Sequence, residues 1–307
     1  MDDGSGVSRS GGRGAELCSA HQFRAGESFS RQETQLSSSS DHCIRALTRS
    51  PTISMTNLLS IMYTADTSEI LRGAAAQDEP LTHITLCGCA VQASLLSDVL
   101  RRHARTLRDF DMSEVTFVVV LDKEGAPHSV DASQVVFDAL ATATGLEVLC
   151  ILTSRDALRL SRTDRLVDAI GHMPCLASVQ FCRTFTSEVQ LNAAIRALST
   201  VHKLTIHYED ACSEETLDAI VTLAEDSVDV LTSFELVGCP NMLKNKESNV
   251  HLCDTLVKCH DLEYVCICES DLDDESAKAM RSTLSESKAH RVEISTKKHN
   301  IRIRAES

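Results

Sequence analysis

One pattern of apolar and polar positions recurs along the chain: apolar, two others, apolar, one other, apolar. It fits LTHITL from Leu81, LEVLCI from Leu146, LASVQF from Leu176, VHKLTI from Val201, LTSFEL from Leu231, LEYVCI from Leu262 and AHRVEI from Ala289. From Leu146 onward the starts are 30, 25, 30, 31 and 27 residues apart. A near-constant interval of this length marks a repeat architecture. Within each copy, positions one, four and six point to one face of a strand, and three, five and seven to the other. Between Leu81 and Leu146 there is room for two repeats, and two registers compete. TLRDFDM anchors a copy at Leu107, with Phe110 and Met112 following; VTFVVV anchors one at Val115, with Val118 and Val120. The pattern leaves both open. NLLSIMYTADTSEIL supplies a degenerate first copy, for about eight repeats in all.

Between the strand copies lie segments with helical periodicity. TDRLVDAIGHM, SEVQLNAAIRAL, SEETLDAIVTLA and SNVHLCDTLVKC carry Leu166, Ile170 and Met173; Leu191, Ile195 and Leu198; Leu217, Ile220 and Ala224; and Leu252, Leu256 and Cys259. Each set is a single apolar stripe, as on a helix packed on one side. Thr163, Ser187 with Gln190 three later, and Ser213 followed by two glutamates predict their N-termini. A strand joined to a one-faced helix cannot bury its apolar face alone, whereas a stack of such units can.

These units resemble leucine-rich repeats of the ribonuclease-inhibitor-like class. The resemblance covers residues 56–296 and implies an α/β horseshoe: a right-handed β-α superhelix with a parallel sheet on the concave face and helices on the convex face. That class continues its strand to a small or polar ninth residue, often Cys or Asn. The ninth residues here are Cys89, Ser154, Thr184, Glu209, Cys239 and Ser270, of which Glu209 departs from the pattern.

Composition adds boundaries. Residues 1–54 include SSSS and are rich in Ser, Gly and Arg without apolar period, which predicts a disordered tail; the repeats fill 55–296, and 297–307 form a basic tail. No long uncharged apolar run suggests a membrane span, and the start lacks the apolar centre of a secretory signal. Thirteen cysteines in such a chain read as reduced thiols acting as small core residues, so the expected compartment is the cytoplasm, with the nucleus as the alternative. Tryptophan is absent and aromatic residues make up 4%, so the core must be aliphatic. Residues 205–276 hold 18 Asp and Glu against 3 Lys, more than the whole net charge of −14. Such a stretch repels phosphate backbones, which argues against nucleic acid and for a partner with a basic surface.

The repeat register decides how the candidate chemistry is read. LEYVCICES contains Cys266 and Cys268, and LTHITLCGC contains Cys87 and Cys89. In the first, Tyr264, Cys266 and Cys268 are expected in a row on the exposed concave face, with side chains about 7 Å apart along the strand. In the second, Cys87 is concave and Cys89 sits at the turn. Neighbouring strands offer carboxylates to the first pair but no further Cys or His, so no zinc site is expected. In HLCDTLVKCH, Cys259 falls on the core stripe, and His251 and Cys253 flank Leu252. Cys182 and His207 share position seven on adjacent strands, but nothing orients them as a nucleophile and base. No phosphate-binding loop, nucleophile elbow or H-E-x-x-H appears.

The expectation is therefore a non-catalytic protein–protein interaction scaffold without cofactor, metal or membrane, binding through its concave face as a member of a larger complex. The residues expected to meet the partner are Gln180, Cys182, Lys203, Thr205, His207, Glu235, Tyr264, Cys266 and Cys268. Three other roles compete with a plain scaffold: the substrate-recognition subunit of a ubiquitin ligase, a GTPase-activating protein resembling the Ran-specific activator, and a fragment of a larger immune-type receptor or of a flagellar or axonemal assembly. No F-box-like segment precedes the repeats, and the acidic run lies within them rather than after them.

Overall fold

The computed structural model describes residues 57–63, 67–118, 132–153, 162–285, 287 and 289–296; the two predicted tails lie outside them. In chain order the elements begin with β1 (Leu58–Met62), α1 (Ser68–Ala76), β2 (His83–Cys87), β3 (Ala90–Gln92) and α2 (Ala93–His103). They continue with β4 (Asp109–Ser113), β5 (Thr116–Val118), α3 (Ala132–Leu140), β6 (Val148–Leu152), α4 (Thr163–Ile170), β7 (Ser178–Cys182) and α5 (Glu188–Ala197). The last are β8 (Lys203–His207), α6 (Glu214–Asp226), β9 (Ser233–Val237), α7 (Lys246–Lys258), β10 (Tyr264–Ser270), α8 (Asp274–Leu284) and β11 (Arg291–Thr296).

Nine strands form one sheet in the order β1-β2-β4-β6-β7-β8-β9-β10-β11, with every neighbouring pair parallel. Strands that follow one another in the repeat are neighbours in space, with one helix crossing back between each pair. This is the α/β leucine-rich-repeat architecture, with nine strands where the sequence pattern suggested about eight units. No described helix is long and apolar enough to cross a membrane.

Of the two competing registers, the one anchored at Leu107 builds the main sheet; in the one anchored at Val115, Val118 is exposed rather than inward, and Val120 lies outside the described residues. The copy anchored at Leu107 enters the main sheet as β4, burying Phe110 and Met112. The stretch after Val115 forms β5, which pairs with β3 in a separate two-stranded sheet. Strong β propensity thus made a strand, but a local one beyond the end of the main sheet.

Positions one, four and six face the helices throughout. Ile84 and Leu86, Val179 and Phe181, Leu204 and Ile206, and Phe234 and Leu236 are buried, as are the stripes Leu191 and Ile195 of α5 and Leu217 and Ile220 of α6. Each fully buried side chain of this size contributes about 1.5–3 kcal/mol, and the layers join in one core. The core is not purely aliphatic, contrary to what the low aromatic content predicts: Phe110, Phe137, Phe181 and Phe234 are its largest fully buried side chains. The caps follow the sequence with corrections. Ser187 accepts from the backbone of Gln190 at the start of α5. Thr163 is the first residue of α4 rather than its cap, and its buried hydroxyl donates to Gln190. Ser213 precedes α6, but Glu188 of the previous helix accepts from its N–H and hydroxyl and from Thr216.

Two backbone ladders fix the register. At the strand entrances, one carbonyl takes two N–H groups from the next repeat: Arg108 from Glu147 and Val148, Ala177 from His202 and Lys203, Thr232 from Glu263 and Tyr264. At the exits, the eighth residue donates to the seventh carbonyl of the next strand, from Tyr63 N to Cys87 O (2.8 Å) through Gly238 N to Cys268 O (2.9 Å). Turning the chain there uses the left-handed region at Tyr63, Gly88, Glu114, Arg183 and Gly238. Gly238 has φ +70°, and a Cβ on it would meet the His207 ring at 3.2 Å. Gly238→Ala is therefore expected to lower stability by about 1–3 kcal/mol. Gly73→Ala, in the middle of α1 with nothing within 4 Å of the new methyl, is expected to raise it by about 0.5–1 kcal/mol. Urea denaturation of the two variants checks both signs.

Candidate interaction face

Because the strands pair position for position, the residues facing away from the helices line up in three rows that cross the sheet. The first runs Leu58, His83, Asp109, Val148, Ser178, Lys203, Ser233, Tyr264, Arg291. The second runs Ser60, Thr85, Asp111, Cys150, Gln180, Thr205, Glu235, Cys266, Glu293, and the third Met62, Cys87, Ser113, Leu152, Cys182, His207, Val237, Cys268. All nine residues singled out in the sequence lie in these rows, on the four adjacent strands β7 to β10.

The rows are more closely packed than alternation alone implies. Lys203 is exposed, while Gln180, Thr205, His207, Glu235, Tyr264 and Cys268 are half-buried. Cys182 and Cys266, expected in the open, are buried at 7% and 5% exposure. Their flanking side chains cover them. Gln180 accepts from the Cys150 thiol at 3.4 Å and donates to Cys182 at 3.6 Å, while Tyr264 and Glu235 crowd Cys266. Burial pushes the Cys182 thiol up to about 11, so it stays protonated beside His207 at neutral pH.

Charges on the face interlock. His83 and Asp109 meet at 2.6 Å, and Arg291 pairs with Glu293 while lying 5.3 Å from the centre of the Tyr264 ring. Glu209, the residue out of pattern at its ninth position, holds Arg183 of the preceding repeat at 2.5 Å and lies 3.6 Å from His207. Its departure from the repeat is an ion pair between turns. Cys253 of α7 and Cys259 just after it are core, whereas His251 is exposed and reaches Glu225 at 3.3 Å. Among the described residues no three His, Cys, Asp or Glu side chains gather as metal ligands, and the described cysteines are free thiols.

Asp111 was not singled out because its strand register was open; with Leu107 as anchor, the alternation in Asp109-Phe110-Asp111 places it in the middle row. Burial raises the pKa of Asp111 and of Glu235, the latter also through the nearby charge of Glu293. Asp111 Oδ1 and Glu235 Oε2 are buried with no hydrogen-bond partner among the described residues.

No protein-family model matches the sequence, and no curated protein matches it. Among solved structures, the fold is similar to that in "Crystal structure of TLR13-ssRNA13 complex", at 13% identity and a TM-score of 0.38. The match covers 79% of this chain and 36% of that one, so this chain spans little more than a third of that chain's length.

Carboxyls with raised folded pKa values bind protons more readily in the folded than in the unfolded state. Their stabilising contribution is complete below the ordinary carboxylate range and is lost as pH rises through the raised values. Asp111→Asn with Glu235→Gln is therefore expected to be at least as stable as wild type at pH 7, the advantage vanishing on acidification below the ordinary carboxylate range. Urea midpoints measured across pH read this directly.

Proposed function

We propose that the face opposite the helices is a protein-binding surface, and that its partner brings lysine, arginine or backbone N–H donors to the middle row. Asp111 Oδ1 and Glu235 Oε2 carry this reading: they are buried acceptors without donors in the same row. A carboxylate oxygen so placed costs on the order of 1–3 kcal/mol until a donor reaches it. Four strand spacings separate the two, about 19 Å, which is wider than a small ligand spans. Phosphate backbones would meet these carboxylates with like charge, which favours a basic protein over a nucleic acid. Half-buried Tyr264, with Arg291 against its ring, offers the kind of rigid aromatic anchor that dominates interface energies.

Helices of 8 to 13 residues after the strands support assignment to the longer, ribonuclease-inhibitor-like class of repeat. Quantitative mass spectrometry of proteins retained by the immobilised chain tests the reading. Glu235→Lys and Tyr264→Ala are each expected to lower retention of the same basic proteins roughly tenfold or more, whereas Glu215→Lys on α6 leaves it unchanged. Equal retention by all variants would refute the assignment of the binding face.

A further inference from the structure

The two cysteines of LEYVCICES do not stand apart as alternate residues of a regular strand do. Their Sγ atoms are 3.2 Å from each other, although both are free thiols. The cause lies in the pairing of β10 with β11. Ile267 pairs with Ile294 and Ser270 with Thr296, so two residues of β10, Cys268 and Glu269, stand against the single Ser295. This is a β-bulge, and bulges re-aim side chains. The Cys268 backbone is still held from the β9 side, where its carbonyl accepts from Gly238 N at 2.9 Å. The distortion is therefore local, and it turns Cys268 toward Cys266.

The sulfurs also differ in access. Cys266 is 5% exposed, beneath Tyr264 and between Glu235 and Glu293 in the middle row, whereas Cys268 is half-buried at the end of the strand. The geometry points to a thiol–disulfide exchange site on this face, in which Cys268 is the attacking sulfur, Cys266 resolves, and a small soluble disulfide is the oxidant. The proposal does not depend on which protein covers the face. The Cys266 thiol donating to Cys268, with Ser295 beside it, lowers the Cys268 pKa to about 7, while the Cys266 thiol is raised by its bond to Cys268 and by burial. That is the asymmetry such a pair needs.

Cys268 releases its proton to solvent, and the thiolate attacks one sulfur of RSSR. This forms Cys268–S–S–R and expels RS⁻. Cys266 Sγ, its proton passing to the expelled thiolate, then attacks Cys268 Sγ, forming the Cys266–Cys268 bond and releasing the second RS⁻. The two cysteines lose two electrons, and RSSR gains them and leaves as two thiols. Alternate residues of an ideal strand lie about 6.4–6.8 Å apart at Cα, at the upper limit of about 6.8 Å that a disulfide spans. The bulge supplies the slack for closure, and a bond formed at that limit is readily reduced again.

The test uses the full chain, reduced and then exposed to oxidised glutathione, quenched in acid, alkylated and mapped by tandem mass spectrometry. In wild type the expected product is an internal Cys266–Cys268 disulfide with little glutathione retained at Cys268. In Cys266→Ser the glutathione mixed disulfide at Cys268 is expected to be at least about tenfold more abundant, because nothing resolves it. In Cys268→Ser, Cys266 is expected to remain a thiol. Cys175, which is exposed and has no paired thiol, serves as the reference for simple glutathionylation. Alkylation of Cys268 is expected to accelerate as pH rises through about 7. The idea is overturned if glutathione persists at Cys268 in wild type at the level of Cys266→Ser, or if Cys266 reacts in the absence of Cys268. Circular dichroism and the Cys→Ala variants separate either outcome from misfolding.

Discussion

The parallel ladder, closed at both ends by backbone hydrogen bonds, is the constraint on which the other features depend. At the entrances of the main-sheet strands from β2 to β10 one carbonyl takes two N–H groups of the next repeat, at that of β11 Glu263 takes Arg291, and at the exits the eighth residue reaches the seventh carbonyl of its neighbour. These bonds leave no freedom to slip by a residue, and a slip would turn every core side chain out of the core. The left-handed residues after the strands, Gly88 and Gly238 among them, are the conformational cost of closing the exits. Where the ladder is perturbed, between Ile267 and Ser270, the chain places its most unusual side-chain contact.

A fixed register turns a repeated sequence into rows. On the helix side the rows are apolar and fuse into one core, which is how a chain without tryptophan buries enough surface to fold. On the other side neighbouring rows bring polar groups within reach of one another every few ångströms. Gln180 comes between two thiols, Arg291 meets both Glu293 and Tyr264, and Glu209 takes Arg183 across a turn. Such contacts desolvate side chains that a single strand would leave in water. Asp111, Glu235 and Cys182 shift upward in pKa by burial for this reason. The face is thus a polar surface with a partly dry interior of its own.

Leu146, Leu176, Leu231 and Leu262 announced their strands because burial of one face imposes a period of two locally, and the interval between copies then revealed the stack. Leu107 and Val115 could not be ranked, since both are apolar and followed by alternating residues. Only the pairing of β4 with β2 and β6, and of β5 with β3, separates them. Thr163 read as a cap because a hydroxyl before an apolar stripe usually is one, yet its partner is Gln190, on the next helix.

The sequence by itself determined the repeat, the face to which each strand residue points, and the placement of all nine candidate residues on one side of the sheet. Alternation along a strand and periodicity along a helix are properties of the backbone and need no neighbour. The tertiary structure decided what those residues experience: that Cys182 and Cys266 are buried, that Cys266 and Cys268 touch through a bulge instead of standing about 7 Å apart, and that Asp111 joins Glu235 in the same row. Burial and unpaired acceptors arise between strands 25 to 39 residues apart in sequence, and the bulge beside the two sulfurs comes from the pairing of β10 with β11; a pattern read along one strand carries no information about either.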